Sequence, residues 1–410
     1  MTDLPESGAV GQAPERSAPT SAAGRVDRVL SLVFLAAVVL CLVVPLLQTL
    51  YPLVPAMVPP LEERRQANPF PSPRLLLGAN GNFAQGLNAW FDDRVGFRDL
   101  FVRTKNQIDY SVFGTSRKVL IGAHGWLFAQ GERVPIDRFT PPQLAALEQG
   151  FLALAQRLAA RGVRLIVVGY PDKSAIYPEM TPAQLPGPRP GDNDEKLRRF
   201  LASRPELGFI DAGEILWREK SRTAELLYFK TDMHVSQVAQ VPIVKEIVAR
   251  IAAAEGRPDI RWDETFALKH DTVGDGSEAR FLSLLVPVME PNHPYFDGAY
   301  SVGGTELDGA WTVPDPNVAN RADAGIGRPF DWEFRSRPEL CAQRLPGMVL
   351  FGNSFSDNYW PLGLHRYFCF IRRARDPISR LDPFIATMPA GTKYFIYQYY
   401  APTLPEMPPH

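Results

Sequence analysis

One apolar run near the N-terminus constrains this chain more than any other feature. Val29 to Leu47 contains no charged residue, and the apolar segment from Leu50 to Val58 can extend it. At ~1.5 Å per residue the run nearly crosses the hydrocarbon core of a bilayer. It exceeds the ~7–15 residues of a signal-peptide core, and no clean small-x-small cleavage site follows. A buried core helix rarely reaches this length without a polar face. The run therefore predicts a single-pass membrane anchor.

The flanking residues suggest how the chain is arranged about the membrane. Residues 1–28 are rich in Ala, Ser, Gly and Pro without periodicity, so we expect a disordered cytoplasmic tail. The tail carries arginines near the run, whereas the arginines beyond the run lie farther away, and this asymmetry favours a cytoplasmic N-terminus. Residues 29–53 then form the anchor and residues 54–75 a proline-rich, semi-rigid linker. The folded domain, residues 76–402, would lie outside the cytoplasm.

The folded part alternates between helical and strand patterns. Thr140 and Gln143 have capping-box spacing, and apolar residues at helical periodicity follow them. Before this helix, Lys118 to Gln130 has the pattern of a hairpin that turns at His124, which makes His124 a turn residue rather than a ligand. Alternating strands and helices indicate βαβ units, and so an α/β fold with a mainly parallel sheet flanked by helices.

Further elements are predicted along the rest of the chain. A helix is expected over Val238–Ala253, and residues 257–345 lose the regular pattern and look like a loop-rich insertion. Strands are expected at the following segments: Val163–Gly169, Phe209–Asp211, Met348–Phe351, Tyr367–Ile371 and Lys393–Tyr399, the last of which would close the sheet. The tyrosines near the C-terminus are better explained by this terminal core strand than by stacking on sugars.

Composition excludes several classes of function. The formal net charge is -1, so no overall electrostatic field points to nucleic acid. The six histidines are scattered without metal-ligand spacing, and no glycine-rich phosphate loop occurs. We therefore expect no metal, no nucleotide cofactor and no nucleic-acid partner.

Two short stretches have the residues of a split nucleophilic site. Ser354 follows the apolar strand Met348–Phe351 and precedes a segment that can open a helix, which places it at the carboxyl edge of a parallel sheet. Asp232 and His234 are separated by one residue, so in an extended backbone they face the same side. A carboxylate so placed can orient an imidazole as the base that activates a serine. An ordinary strand-to-helix turn and a surface Asp-x-His remain the alternatives.

These stretches resemble the periplasmic alginate O-acetyltransferase family. The resemblance rests on Gly352-Asn353-Ser354-Phe355, Thr231-Asp232-Met233-His234 and Gly125-Trp126-Leu127-Phe128, with Arg98-Asp99 and Pro171-Asp172-Lys173 as further motifs. It spans about residues 68–400. It implies an SGNH-hydrolase-like fold with a permuted motif order and a membrane-anchored type of chain.

Carried onto this sequence, the resemblance implies roles for individual residues. Ser354 would be the nucleophile, His234 the general base and Asp232 its orienting carboxylate. By its position after a strand on the ligand edge, Lys173 would bind the acceptor or support the residues that do, and a solvated lysine is the alternative. Asn353, next to Ser354, and Tyr359, five residues after Ser354, are further candidates for contact with substrate. Asn353 stands where SGNH proteins usually have Asp.

The resemblance also implies a function and partners. The expected activity is transfer of acetyl groups to hydroxyls of an exported polysaccharide, with a membrane-bound O-acyltransferase as the donor partner and the catalytic domain in the periplasm, held to the inner membrane. Val235 stands where the family usually has Trp, so a non-catalytic polysaccharide-binding subunit stays open. An acetyl esterase with the same triad is the third alternative, because the triad does not select the acceptor.

Cysteine usage gives one further expectation. Cys41 lies within the apolar run, whereas Cys341 and Cys369 flank the strand that precedes Ser354. Disulfides persist outside the cytoplasm, so these two residues can form a bridge that braces this strand. Two separate buried thiols are the alternative, since Cys also behaves as a small apolar residue.

Overall fold

A computed structural model of the chain describes residues 21–61, 66–76, 82–129, 140–183, 185, 191–274, 276–300, 308–312, 331–375 and 378–404. Residues 1–20 of the expected tail and about a third of the expected insertion lie outside these ranges. The described residues belong to two compact units, one up to Arg103 and one from Thr104. Contacts divide the chain there rather than at residue 76, where the folded domain was expected to begin.

The first unit consists of helices and an extended segment. Its helices are α1 (Ser21–Leu50), α2 (Phe83–Arg94) and the start of α3 (Arg98–Phe113). Within α1, Val26–Leu50 is long and apolar enough to cross a membrane, and its side chains are almost all exposed. The helix begins eight residues before the expected anchor, because an established helix extends readily through neighbouring residues.

Part of the expected linker is docked within this unit. Asn68 donates both its backbone N–H and its side-chain amide to Asp93 on α2, at 2.7 and 2.8 Å. The ring of Phe70 packs edge-on against that of Trp90, with centroids 5.3 Å apart. The second half of the linker is therefore tied to α2, which explains why the division between units falls later than expected.

The second unit has an α/β architecture. The bounds of its strands are β1 (Val119–Ile121), β2 (Leu127–Ala129), β3 (Arg164–Tyr170), β4 (Ile210–Asp211), β5 (Ala267–Gly274), β6 (Met289–Asp297), β7 (Gly309–Thr312), β8 (Trp332–Ser336), β9 (Gly347–Gly352), β10 (Phe370–Arg375) and β11 (Thr392–Tyr400). Its helices after α3 are α4 (Pro141–Ala159), α5 (Lys173–Ile176), α6 (Asn193–Ala202), α7 (Ala212–Lys220), α8 (Gln237–Ala254), α9 (Ser277–Leu282), α10 (Pro338–Cys341) and α11 (Leu381–Ala386).

Seven described strands form the central sheet in the order β4-β3-β11-β9-β10-β8-β7. The pairs from β4 to β10 are parallel, and β8 and β7 extend the sheet antiparallel. The predicted α/β fold with a mainly parallel sheet is confirmed. Two expectations change: β11 lies in the centre of the sheet rather than at its end, and part of the expected insertion supplies β7 and β8.

Both faces of the sheet are buried, and successive side chains of a strand point to opposite faces. In β9, Met348 and Leu350 pack on the side of α7 and α8, whereas Val349 and Phe351 pack on the side of α4, α6 and α11. Because both of its faces are buried, β9 is continuously hydrophobic, which explains why this strand was visible in the sequence.

Several local predictions are confirmed. Thr140 and Gln143 form a reciprocal capping box at the start of α4. β1 and β2 form the expected hairpin, and His124 has a left-handed backbone conformation (φ 53°) in its turn. Helix α8 spans the predicted segment, and Ser236 caps it by accepting the N–H of Ala239. One strand is displaced: β10 starts at Phe370 instead of Tyr367, because Leu364–Tyr367 is a 3₁₀ turn.

Cys341 and Cys369 form a disulfide, which is the first of the two alternatives that the sequence left open. Cys341 ends α10 and Cys369 immediately precedes β10, with their Cα atoms 4.6 Å apart. The bridge closes a segment that contains the whole of β9, and so constrains the strand that leads to Ser354. Cys41 is a free, exposed cysteine on α1.

We expect loss of this bridge to destabilise the second unit. Closing a loop of this length stabilises a fold by about 3 kcal/mol, largely by restricting the unfolded chain. The double substitution Cys341→Ser and Cys369→Ser should therefore lower the unfolding midpoint of the detergent-solubilised chain, followed by tryptophan fluorescence. Cys41→Ser is the control and should leave the midpoint unchanged. An unaltered midpoint in the double variant would contradict this role.

Candidate active site

Strand β9 delivers Ser354 to the carboxyl edge of the sheet. All residues of β9 are buried, and Ser354 begins a 3₁₀ turn, Ser354–Asn358, where an α-helix was expected. Gly352 is required at the end of the strand, since a Cβ there would lie 2.6 Å from the side-chain oxygen of Gln398. That oxygen accepts the N–H of Asn353 at 3.0 Å, which fixes the entry into the turn.

His234 and Asp232 come from the loop before α8. The imidazole Nε2 lies 2.7 Å from Ser354 Oγ, and Nδ1 lies 2.5 Å from Asp232 Oδ1. The three side chains therefore form one continuous hydrogen-bonded chain, although His234 and Ser354 are 120 positions apart in the sequence. Because Asp232 accepts a hydrogen bond from Nδ1–H, that proton stays on Nδ1 in neutral His234. Nε2 is then available to accept the proton of Ser354.

The local backbone differs from the extended geometry that the spacing suggested. Asp232 and His234 lie in a series of bends, and Asp232 Oδ1 also accepts the backbone N–H of His234 at 2.9 Å. A carboxylate that bonds the N–H two residues ahead forms an Asx turn. The turn, rather than strand alternation, brings the carboxylate to the imidazole.

The site is reachable from solvent. The side chains of His234 and Asp232 remain 30% and 24% exposed, and Ser354 is half-buried. On its inner side the His234 ring packs against Phe355, with centroids 5.2 Å apart, and Phe355 stacks on Tyr400 at 4.3 Å. A substrate can therefore approach one face of the imidazole while aromatic rings support the other.

Opposing effects set the pKa values of the pair. Burial raises the pKa of Asp232. The neighbouring His234 and the N–H groups of Ser277 and His234 lower the pKa by a larger amount, so the net pKa lies well below its ordinary value. Burial lowers the pKa of His234, but the Asp232 carboxylate outweighs burial and raises the net pKa above its ordinary value. Asp232 thus stays ionised while His234 titrates.

The backbone N–H of Ser354 is available to an anionic intermediate. Among the described residues it has no acceptor, whereas the neighbouring N–H of Phe355 donates to Asn353 Oδ1 at 3.0 Å. Asn353 is half-buried and its side-chain oxygen is committed to the turn, although sequence suggested substrate contact. Its observed contacts are those of a residue that shapes the turn.

Lys173 lies beneath the site rather than in it. It is 1% exposed, and its Nζ donates to the carboxylate of Glu278 at 2.7 Å and to the carbonyls of Phe229, Lys230 and Asp232 at 3.1–3.3 Å. An ammonium buried with these bonds cannot reach a sugar that receives the acetyl group. Of the two roles expected from sequence, support of the Asp232 loop fits these contacts.

Tyr359 is also buried, contrary to the expected contact with substrate. It is 1% exposed, and its hydroxyl lies 2.8 Å from that of Tyr170. Tyr170 in turn donates to Gln240, whose amide donates to the carbonyl of Phe355 at 2.6 Å. Tyr359 therefore belongs to an internal network that links the 3₁₀ turn to β3 and α8.

The Gly125–Phe128 motif also supports the loop. Trp126 and Phe128 are buried, and Lys173 Nζ lies 5.8 and 5.2 Å from their ring centroids. The backbone N–H of Leu127 donates to Lys230 at 2.8 Å. The hairpin therefore packs against the loop that carries Asp232. The other motif residues, Arg98 and Asp99, lie in the first unit.

Sequence reasoning missed three residues that contact this loop. Glu290 is 1% exposed and accepts the N–H groups of Lys230 and Thr231, and Ser277 and Glu278 start α9 beside Asp232. All three lie in the expected insertion, where no spacing relates them to Asp232. The described residues contain no group of His, Cys, Asp and Glu that could hold a metal ion.

We expect the histidine titration to depend on Asp232. Protonated His234 is favoured in the folded state, so its stabilising contribution is present below the ordinary histidine pKa and is lost as pH rises through the raised value. For Asp232 the contribution is present above the ordinary aspartate pKa and is lost as pH falls. Asp232→Asn should lower the pKa of His234, because burial then acts without the carboxylate.

Nitrogen-15 NMR of histidine-labelled protein measures this titration. Asp192→Asn, a matched change at the N-cap of α6, should leave the His234 titration in place. An unchanged pKa in Asp232→Asn would contradict the coupling seen in the geometry.

Part of this chain matches a known domain family. Residues 119–282 match the family model described as SGNH hydrolase-like domain, acetyltransferase AlgX. The match includes Asp232 and His234 and ends before Ser354, which the geometry alone places beside them.

A curated relative and two solved structures are similar to this chain. The chain is 28% identical over 183 residues to a probable alginate O-acetylase, AlgJ, of Pseudomonas aeruginosa, a segment that covers 43% of each chain. The match therefore spans less than half of that relative. The O-acetyltransferase domain of Pseudomonas putida AlgJ is 14% identical, with a TM-score of 0.45 over 69% of this chain and 91% of that one.

Bacillus cereus PatB1 is 14% identical, with a TM-score of 0.46 over 69% of this chain and 95% of that chain. The family match contains the Asp-x-His loop. Over residues 119–282, this chain is similar to the SGNH hydrolase-like acetyltransferase domain of AlgX.

Proposed function

We propose that this protein is a serine O-acetyltransferase that acetylates hydroxyls of an exported polysaccharide. One observation carries the proposal: Ser354 Oγ, His234 and Asp232 form an unbroken hydrogen-bonded chain at 2.7 and 2.5 Å beside a solvent-accessible edge of the sheet. The domain family and the relative named as an alginate O-acetylase support the acetyl group and the polysaccharide.

In the first half-reaction, Ser354 takes the acetyl group. Its Oγ attacks the carbonyl carbon of an acetyl ester as His234 Nε2 removes the hydroxyl proton. Negative charge develops on the carbonyl oxygen, where the Ser354 N–H can donate to it. The tetrahedral intermediate then collapses, the donor oxygen leaves with the proton from His234, and Ser354 carries the acetyl ester.

In the second half-reaction, the acetyl group passes to the glycan. A sugar hydroxyl attacks the acetyl carbon while neutral His234 accepts its proton, and the proton returns to Ser354 Oγ when the bond to the enzyme breaks. Asp232 remains ionised throughout and stabilises the imidazolium that forms in each step. Its depressed pKa suits this role, because the carboxylate does not compete for the proton.

Exposure of His234 favours a second candidate, an acetyl esterase in which water is the acceptor. The same first half-reaction serves both, and they differ only in what attacks the acetyl-enzyme. A non-catalytic polysaccharide-binding subunit, raised by Val235 and Asn353, would form no acetyl-enzyme. The three functions therefore separate in one experiment.

The experiment is intact-mass analysis of the detergent-solubilised chain with an acetyl-ester donor. We expect one acetyl adduct on Ser354 that disappears when an acceptor oligosaccharide is added and is replaced by acetylated oligosaccharide. Ser354→Ala should show no adduct, and His234→Ala should reduce its formation by a comparable amount, because triad members act as a unit. Ser221→Ala, an exposed serine after α7, is the control and should behave as wild type.

The outcomes point in different directions. Loss of the adduct to water at the same rate with and without oligosaccharide would favour the esterase. Full acetylation by Ser354→Ala would contradict the nucleophile assignment, and absence of an adduct in the wild type would favour the non-catalytic subunit.

We propose in addition that α1 anchors the chain in the inner membrane, with the second unit in the periplasm. The apolar helix Val26–Leu50 supports an anchor. Activated acetyl donors are made in the cytoplasm, so an acetyl group has to cross the membrane before it reaches Ser354. A membrane-bound O-acyltransferase is the proposed donor partner, and the anchor would hold the domain beside it.

Replacing residues 1–60 by a cleavable signal peptide tests this partnership in cells. The released chain should lose most glycan acetylation while still forming the acetyl adduct with a soluble ester in vitro, because the triad is intact. The control is the same replacement followed by an unrelated single-pass helix, which should restore part of the activity. Full acetylation by the released chain in cells that lack membrane O-acyltransferases would contradict the relay.

A further inference from the structure

The carboxylate of Asp232 has more hydrogen-bond donors than a triad aspartate requires. Oδ1 accepts the backbone N–H and the Nδ1–H of His234, and also the hydroxyl of Ser277 at 2.9 Å. Oδ2 accepts the backbone N–H of Ser277 at 2.8 Å. Ser277 is thus bonded to both oxygens, and it comes from a segment 45 positions away in the chain.

Helix α9 is built closely against this loop. A Cβ at Gly276 would lie 2.5 Å from the carbonyl oxygen of Thr231, so only glycine allows the approach. The backbone N–H groups of Glu278 and Ala279 both donate to that carbonyl at 3.1 Å. The first N–H groups of the helix, which have no partners within it, are therefore satisfied by the loop.

The hydroxyl of Ser277 has two partners within the protein. It donates to Asp232 Oδ1 and accepts the backbone N–H of Met233 at 3.1 Å, and the residue is 7% exposed. The peptide between Asp232 and Met233 and the carboxylate that orients His234 are therefore held by one oxygen atom.

Other contacts fix the loop backbone but not the Asp232 side chain. Lys173 donates to carbonyl oxygens of the loop, and Glu290 accepts the backbone N–H of Thr231 at 2.9 Å and its hydroxyl at 2.7 Å. Rotation of the carboxylate about its last torsion is opposed by His234 on one side and Ser277 on the other. Since His234 also changes its charge during the proposed reaction, Ser277 is the partner that stays constant.

We propose that Ser277 is a positioning residue that holds the Asp232 carboxylate in line with His234 Nδ1. The expected effect on turnover rests on the proposed function. The expected effect on the hydrogen bond between Asp232 and His234 rests on geometry alone. Without the hydroxyl, Asp232 keeps the two bonds from His234 on Oδ1 and the Ser277 N–H on Oδ2, but it loses one of the bonds that oppose rotation of the carboxylate away from the imidazole. His234 then spends less time as the tautomer with Nε2 directed at Ser354.

Ser277→Ala should lower kcat for acetyl-ester turnover by about 10-fold, with little change in KM, because one hydrogen bond to a charged group is lost. Ser277→Thr keeps the hydroxyl and should restore most of the rate. Thr140→Ala removes a helix N-cap remote from the site and serves as the control: it should lower the melting temperature but leave kcat unchanged.

A double-mutant cycle with Asp232→Ala isolates the route of the effect. If Ser277 acts through Asp232, adding Ser277→Ala to Asp232→Ala should cost no further activity. Fully additive losses would overturn the proposal. If Ser277→Ala fails to fold, Ser277→Cys keeps the volume with a weaker donor and should show the same pattern at smaller amplitude.

Proton NMR provides a readout that does not depend on turnover. In the wild type, the short Nδ1–H···Oδ1 bond should give a low-field imidazole proton signal, which Ser277→Ala should shift upfield or broaden. An unchanged signal in Ser277→Ala would overturn the proposal. Failure of the wild type to form an acetyl adduct would contradict the proposed function and leave this structural test standing.

Discussion

The site depends on a buried ion pair. Lys173 and Glu278 are both almost inaccessible and 2.7 Å apart, and a pair in such a place loses the hydration of two charges. The loss is offset only because the ammonium also bonds three carbonyl oxygens of the loop that carries Asp232. Removing either partner would leave the other charge buried alone. The pair therefore specifies one conformation of the loop, and through it the position of His234.

This arrangement joins four parts of the chain that have no sequence relation. Lys173 follows β3, Glu278 starts α9, the rings of Trp126 and Phe128 come from the hairpin, and Asp232 precedes α8. Glu290 on β6 completes the enclosure from the remaining side. The geometry at Ser354 is consequently a property of the whole second unit, and substitutions far from the triad can alter it.

The sequence predicts some of these features and not others, for physical reasons. Met348–Phe351 is recognisable because a strand buried on both faces is continuously apolar, and Thr140 is recognisable because a helix cap acts over three residues. Asp232 and His234 were found by their spacing, although an Asx turn rather than a strand brings them together. Ser277 and Glu290 were not found, because their contacts are tertiary and their own segment lacks periodicity.

The position of β11 in the sheet was predicted wrongly, for a different reason. The C-terminal strand was expected at the end of the sheet, since nothing local distinguishes a central strand from an edge strand that is covered. Tyr394, Tyr397 and Tyr399 are instead buried between two parallel neighbours, so their aromatic character reflects a core position. Tyr394 also donates its hydroxyl to Glu255, and all three side chains are buried rather than exposed as a platform for sugars.

The central position of β11 has a consequence for how the domain forms. Arg164 on β3 pairs with Tyr394 on β11, and the same strand pairs with β9 on its other side. Of the described strands, the one that bridges the two halves of the sheet is the last in the chain, and its contacts with β3 span most of the second unit. Such non-local pairing slows folding. Until β11 inserts, β3 and β9 have no direct neighbour in common. A chain truncated before Thr392 would lose the junction of its sheet rather than an edge.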